Sequence, residues 1–274
     1  MKRTKAGLSV VLSAVILSSV LLVVTMIAFN FSISIMSAQA QNSEFEEMKN
    51  DLLLLADVVE DISLKPLAAG YVTFSSQSGS MSFLTNQSAI SVDARATGYP
   101  TRNLLSGSAS SLKYRGGSQV GGILNDYLKG STSYLISVHS TPLTRVYLQY
   151  NRAPYIIMDS RVVRIANLGT YYYYNRGDNQ SGYLNMIEVT LLNITYGKLV
   201  YSNPMNVRAL NKDMRITQFS FLNNQVNVMF DVRVDDKVTN YLVSGPSTTP
   251  DGTPISGTTV RVVYLEVSIS TVGS

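Results

Sequence analysis

No residue between Lys5 and Glu44 carries a charge, and the apolar positions change their spacing along and beyond this run. Residues 8–29 are predominantly apolar. As a helix rising ~1.5 Å per residue they span roughly the ~30 Å hydrocarbon core of a bilayer. Phe29, Phe31, Ile33 and Ile35 then alternate, which taken alone fits either a local strand or a continuing helix. Further on, Phe45, Met48, Leu52, Leu55, Val59 and Ile62 recur at alternating steps of three and four, the seam of a helix that packs along its length. The helical reading is therefore extended through residues 30–66. Pro66 has no amide hydrogen and disfavours helix in the residue before it, so the stem is expected to stop near Lys65. The seam is open to two readings. It packs on the chain's own following domain, or it also meets neighbouring copies, for which the run Leu52, Leu53, Leu54, Leu55 with Val58 offers extra apolar surface.

From Tyr71 the period becomes two, the signature of strands. Strands are expected at 71–74, 80–84, 134–139, 145–150, 161–166, 183–195, 198–201 and 259–270. A hairpin is expected over 217–234, turning at Asn223-Asn224. Two stretches rich in Gly, Ser and Pro, 106–122 and 245–257, read as loops. The expected fold class is α+β: a long N-terminal hydrophobic and amphipathic helix followed by an antiparallel, β-rich, sandwich-like head. The organisation is a basic leader (1–7), a membrane or filament-core helix (8–29), a stem (30–66) and a head (67–274).

Charge gives this layout a direction. Lys2, Arg3 and Lys5 lie directly ahead of the apolar run, and cations resist translocation. The N-terminus is thus expected on the cytoplasmic side and the head outside. These three residues supply most of the net charge of +4, so the head is nearly neutral and offers no electrostatic footprint for nucleic acid. With no cysteine in 274 residues, disulfides and thiolate metal sites are excluded.

The candidate chemistry is thin. His139 is the sole histidine, which excludes a multi-histidine zinc site. Ser140 and Asp159 complete an imaginable triad with it, but no Gly-x-Ser-x-Gly elbow is present. The glycine-rich run from Arg115 to Gly122 lacks the Lys-Ser/Thr ending of a phosphate loop and reads as a flexible turn. Asp231, Asp235, Asp236 and Asp178 fit no calcium-loop pattern and read as solvated turn acids. No catalytic residue, cofactor or metal is expected. Tyr171, Tyr172, Tyr173 and Tyr174 form an unbroken run in which a strand would turn two rings outward, as sheet surface or as a contact area. Asn-x-Ser/Thr sequons occur at Asn30, Asn86, Asn179 and Asn193. Asn86 and Asn179, in loop-like contexts, are the better glycan candidates.

The opening Lys2-Arg3-Thr4-Lys5-Ala6-Gly7, followed by Leu8-Ser-Val-Val-Leu12, resembles the class III signal peptides of archaeal type IV pilins and archaellins. The resemblance implies recognition of the leader (Lys2, Arg3, Lys5, Ala6) by a prepilin peptidase on the cytoplasmic side. The cut would fall after Gly7, leaving Leu8 as the new terminus, with a cut after Ala6 as the alternative. It further implies subunits that leave the membrane through a pilus assembly machinery and bundle their helices with copies of themselves or other pilin-like subunits. Leu12 stands where bacterial pilins carry a glutamate, an acid archaeal members commonly lack. The resemblance covers about the first 30 residues. Two other readings compete: an uncleaved single-pass anchor carrying an extracellular binding module, and a secreted domain cut at Ser37-Ala38-Gln39-Ala40. The apolar run is longer than a secretory signal's ~7 to 15 residues and distant from that site.

Overall fold

The computed structural model describes residues 4–122, 124–138, 141–175 and 180–272, with side chains from Leu12 onward except those of Asn175 and Gln180. One uninterrupted helix, α1 (Thr4–Ser63), occupies the first 60 described residues, a rod of roughly 90 Å at ~1.5 Å per residue. The alternation at 29–35 does not interrupt it. Polar side chains there bond back to carbonyls one turn earlier, Asn30 Nδ2 to Met26 O (2.8 Å) and Ser32 Oγ to Ala28 O (2.9 Å). Ser18, Ser19 and Thr25 do the same, so these hydroxyls are satisfied within the helix and do not disturb the apolar surface. The helix stops at Ser63, and the Lys65 amide donates to Ile62 O at 2.9 Å in the closing turn.

Among the described residues the head contains thirteen strands: β1 (Ala69–Phe74), β2 (Ser80–Arg95), β3 (Arg102–Arg115), β4 (Asp126–Lys129), β5 (Leu135–Ile136), β6 (Arg145–Tyr150), β7 (Pro154–Asp159), β8 (Val163–Asn175), β9 (Gln180–Tyr196), β10 (Met205–Phe221), β11 (Asn227–Val234), β12 (Lys237–Ser244) and β13 (Ile255–Thr271). They form two sheets, in the orders β1-β10-β13-β9-β8-β5 and β12-β11-β2-β3-β7-β6-β4. Most pairs are antiparallel. The exceptions are β9 with β13 and the two-residue β5 with β8, which run parallel. The chain leaves β9 for β10, passes through β11 and β12 of the other sheet, and returns as β13 between β9 and β10. That long crossover is what a parallel pair requires.

Two apolar clusters fill the head. One joins inner faces of both sheets, with Val92 and Phe230 meeting Val189 and Val260. The other adds the helix: Phe45, Met48, Leu52, Leu55, Val59 and Ile62 are all buried, against Val72, Phe74, Val207 and Leu265 of the first sheet and Leu112, Val146 and Ile156 of the second. The stem is thus a wedge between the sheets. Leu53 and Val58 pack at its margin, and Leu54 is left 51% exposed.

Several expectations are corrected. Residues 106–115 belong to strand β3 rather than a loop. Small side chains serve close packing there: Ala109, Ser110 and Ser111 are buried, and a Cβ on Gly107 would lie 3.3 Å from Leu191 Cδ2. Asn223 and Asn224 adopt the expected positive φ (56° and 57°). Their flanking strands, however, do not form a hairpin: β10 pairs with β1 and β13, and β11 with β12 and β2. Two strands facing each other across a core need the same inward alternation as a hairpin, so the pattern does not separate the cases. The two-residue hairpin lies next door, at Asp235-Asp236, joining β11 to β12. Residues 198–201 are not a strand. They are held to the end of β13 by Thr271 N to Lys198 O (3.0 Å) and Val200 N to Thr271 Oγ1 (2.7 Å). Of 134–139 only Leu135–Ile136 is strand, and His139 and Ser140 lie outside the described residues.

Candidate functional site

The feature that sets this molecule apart is a helix held firmly at one end and exposed along the other. From Leu12 to Met36 the side chains meet nothing in the head: Leu17 is 70% exposed and Phe31 67%. This stretch is long and apolar enough to cross a membrane. Leu8, Gly7, Ala6 and Lys5 fall within the helix, where only the backbone is described, and Lys2 and Arg3 lie outside the described residues.

The mount begins at Gln41. Its Oε1 accepts from the Gln119 amide (2.8 Å), one turn before Phe45 inserts beside Tyr114 with ring centroids 6.1 Å apart. A Cβ on Gly116 would stand 2.6 Å from Phe45 Cδ2, and one on Gly117 would collide with Gln41. The glycine-rich run read as a flexible turn is thus a saddle on which the helix rests.

Glu44, the first charge after the uncharged run, closes the mount. Its carboxylate accepts from Ser76 Oγ (2.8 Å), Ser78 Oγ (2.6 Å), Tyr114 Oη (2.8 Å) and the amides of Gln77, Ser78 and Gly79 (3.0 to 3.2 Å). Burial alone would raise this carboxyl. The hydrogen bonds from Ser78, Ser76, Tyr114 and the Gly79 amide outweigh it and hold the group at about 2. Burial pushes the Tyr114 hydroxyl up, and its bond to Glu44 adds to that.

At the far end of the seam Glu60 accepts from the Thr144 amide (2.8 Å) and its hydroxyl, while Lys129 bridges Asp57 (2.7 Å) and Glu60 (3.2 Å). Asn211 Nδ2 donates to the carbonyls of Ile62 (3.0 Å) and Ser63 (2.7 Å), satisfying helix-end acceptors that would otherwise be orphaned. Sequence reasoning missed Glu44, Gly116, Gly117, Lys129 and Asn211. Only Glu44 carried a signal, as the first of the three acids (Glu44, Glu46, Glu47) that open the amphipathic stretch.

The remaining candidates separate. Asp159, the acid of the imaginable triad, is fully buried and bound by Arg145 through both oxygens (2.9 and 2.7 Å) and by Arg161 (2.9 Å). Burial opposes its ionisation, but the Arg145 and Arg161 guanidinium groups hold it below the usual carboxylate range. It locks β6 to β7, and its imagined partners His139 and Ser140 lie outside the described residues. Asp231 pairs with Arg95 (2.7 Å), and Asp235 Oδ1 accepts from the Ala89 amide (3.1 Å). Among the described residues no three His, Asp or Glu side chains are grouped to hold a metal ion. Asn86 is exposed but sits within β2, not in a loop, at a register shift with φ 50°; its Oδ1 accepts from Ser108 Oγ at 2.7 Å. Asn193 is buried, with Nδ2 on Tyr264 Oη (2.8 Å), and Asn179 lies outside the described residues. No protein family, curated protein or solved structure matches this chain.

Proposed function

We propose that this protein is a structural subunit of an archaeal type IV pilus-like surface filament. It is made as a single-pass membrane precursor and cut near Gly7. One observation carries the reading: the stem's apolar seam is spent on the chain's own head, while the helix ahead of it, Leu12 to Met36, stays exposed and uncharged. Such a segment needs an apolar solvent. Lipid supplies it in the precursor, and the same segments of neighbouring copies supply it in a filament. A rigid mount transmits the position of the helix to the head, so ordered helices order the heads around them.

The N-terminal residue of the mature protein, read by mass spectrometry, tests this. Leu8 or Gly7 is expected. Met1 would instead make the chain an uncleaved anchor for an extracellular binding module, a reading favoured by the hydroxyls of Ser18, Ser19 and Thr25, which are satisfied within the helix and ask for no partner. Filaments at the cell surface that vanish on deletion of the gene are the second expected result.

A further inference from the structure

The first sheet is fully paired only over part of its length. β5 occupies the outer side of β8 opposite Val163 and Arg164 alone, and among the described residues no strand lies beside 167–173. On the opposite side, β1 covers β10 from Met205 to Leu210, and none continues beside 212–220. Both open stretches lie at the same end of the sheet, since Thr170 is opposite Asn185, Asn185 opposite Thr258, and Phe221 also opposite Thr258.

Exposed edges invite pairing, and proteins usually guard them with charge, proline or shortness. The β12 edge carries Lys237, β4 is short and charged at both ends, and the β10 stretch begins with Lys212, Asp213 and Arg215, which leaves Ile216 to Ser220 as its uncharged part. The β8 stretch has no charge and no proline from Ile165 to Asn175. It is also held ready: Thr170 Oγ1 bonds Asn185 Oδ1 (3.0 Å), Tyr171 Oη bonds Thr259 Oγ1 (3.1 Å), and Tyr172 packs edge-on against Tyr183 at 5.3 Å. On the β10 side, a cleft of about 230 Å³ opens beside the edge between Leu104, Leu105, Arg215, Thr217, Val262 and Tyr264. It leaves room for a side chain from an added strand.

We infer that the open edge of β8 pairs, in parallel, with the open edge of β10 in a second copy of this chain, joining heads side by side into a continuous sheet. Direction decides between partners. β8 and β10 are each antiparallel to their neighbours β9 and β13, which are parallel to one another, so β8 and β10 point the same way. Strands also run along the helix: Gly70 abuts Val58 while Ser78 meets Glu44. That is roughly 21 Å of helix at ~1.5 Å per residue, followed on the other side by β1 (Ala69–Phe74) and the turn after it. Copies whose helices lie parallel therefore present β8 and β10 in the same direction. Antiparallel β8 to β8 pairing would oppose the helices, and a parallel version would turn the buried face outward. The interface is heterologous, so it propagates. It rests on the proposed function only in that neighbouring helices share one direction, as they do in a filament or in one membrane.

Because the chain has no cysteine, engineered pairs give unambiguous cross-links, which form where Cα atoms come within ~4.4–6.8 Å. Full-length Thr170→Cys is combined in one chain with Ile216→Cys, Thr217→Cys or Gln218→Cys to sample the register, and cells or membrane vesicles are oxidised. At least one double variant is expected to yield a ladder of dimers, trimers and higher species, with every single variant monomeric. Tyr172→Lys, a charge on the same exposed edge that leaves both cysteines in place, should abolish the ladder on that background while the head keeps its protease resistance. Cross-linking of the Thr170→Cys single variant with itself, or no ladder from any double variant, would overturn the pairing. A ladder in membranes without filaments keeps the edge contact and removes the filament, whereas filaments without a ladder do the reverse.

Discussion

Leu21 and Leu55 lie on the same helix, yet the first is 63% exposed and the second 0%. Around Leu21 every neighbour along the helix is apolar or a self-satisfied hydroxyl, so no side is distinguished and any apolar medium will do. Around Leu55 the apolar positions fall in one stripe, with Asp57 and Asp61 on the outside and Glu44 and Glu60 reaching polar partners in the head. The stem therefore has one way to sit, and the arm has none of its own. Hydrophobicity makes both segments leave water, but only patterning and polar contacts specify a partner.

The largest effect should come from a charge in the seam. Leu55→Asp places a carboxylate among Val207, Leu265 and Ile156 and is expected to abolish head folding, whereas Leu55→Ala should cost about 2 to 5 kcal/mol. Leu21→Ala should leave urea unfolding of the detergent-solubilised protein within ~0.5 kcal/mol of the parent. Equal losses at the two positions would erase the contrast. Next comes the saddle: Gly117→Val, whose side chain collides with Gln41, should cost about 1 to 3 kcal/mol in the same assay.

Glu44→Gln should cost a similar or smaller amount, about 1 to 3 kcal/mol near neutral pH. Its pH dependence is the more telling readout. The folded-state carboxyl lies below its unfolded value, so its contribution is fully present above about 4.5 and is lost as the pH falls towards about 2. The difference in stability between parent and variant should therefore narrow across that window. A constant difference would place the acid sensitivity elsewhere. The smallest change is expected for Lys49→Ala, whose partner Glu46 is exposed: at most ~0.5 kcal/mol, checked by the same unfolding curves.

How far the sequence speaks follows the same division. The helix and its seam were legible because a charge-free run and a three-four spacing are local patterns, visible in one dimension. The strand periods were legible for the same reason, and Asn223-Asn224 announced its own backbone conformation. Partners were not. Alternation over 217–234 looks identical whether the two strands share a sheet or face each other across one core, and small residues at 106–115 look like a loop until Leu191 and Tyr264 are seen to press on Gly107. The mount was hidden for a related reason, since Glu44 meets Ser76, Ser78 and Tyr114, which lie 32 to 70 positions away. The parallel alignment of β9 and β13 could not be read, because a strand's own pattern does not record which neighbour it joins.

The placement of β13 has a consequence in time. The last described strand runs through the middle of the first sheet, between β9 and β10, and it contributes Val263, Leu265, Val267 and Ile269 to the core that receives the helix. During synthesis the N-terminal helix emerges first and its berth is completed last. A nascent chain shorter than about Thr271 has its long apolar helix but no finished head to hold the stem. A chain released early therefore carries its defect at the centre of the first sheet, and the seam of its helix is left without the β13 side of the core that buries it.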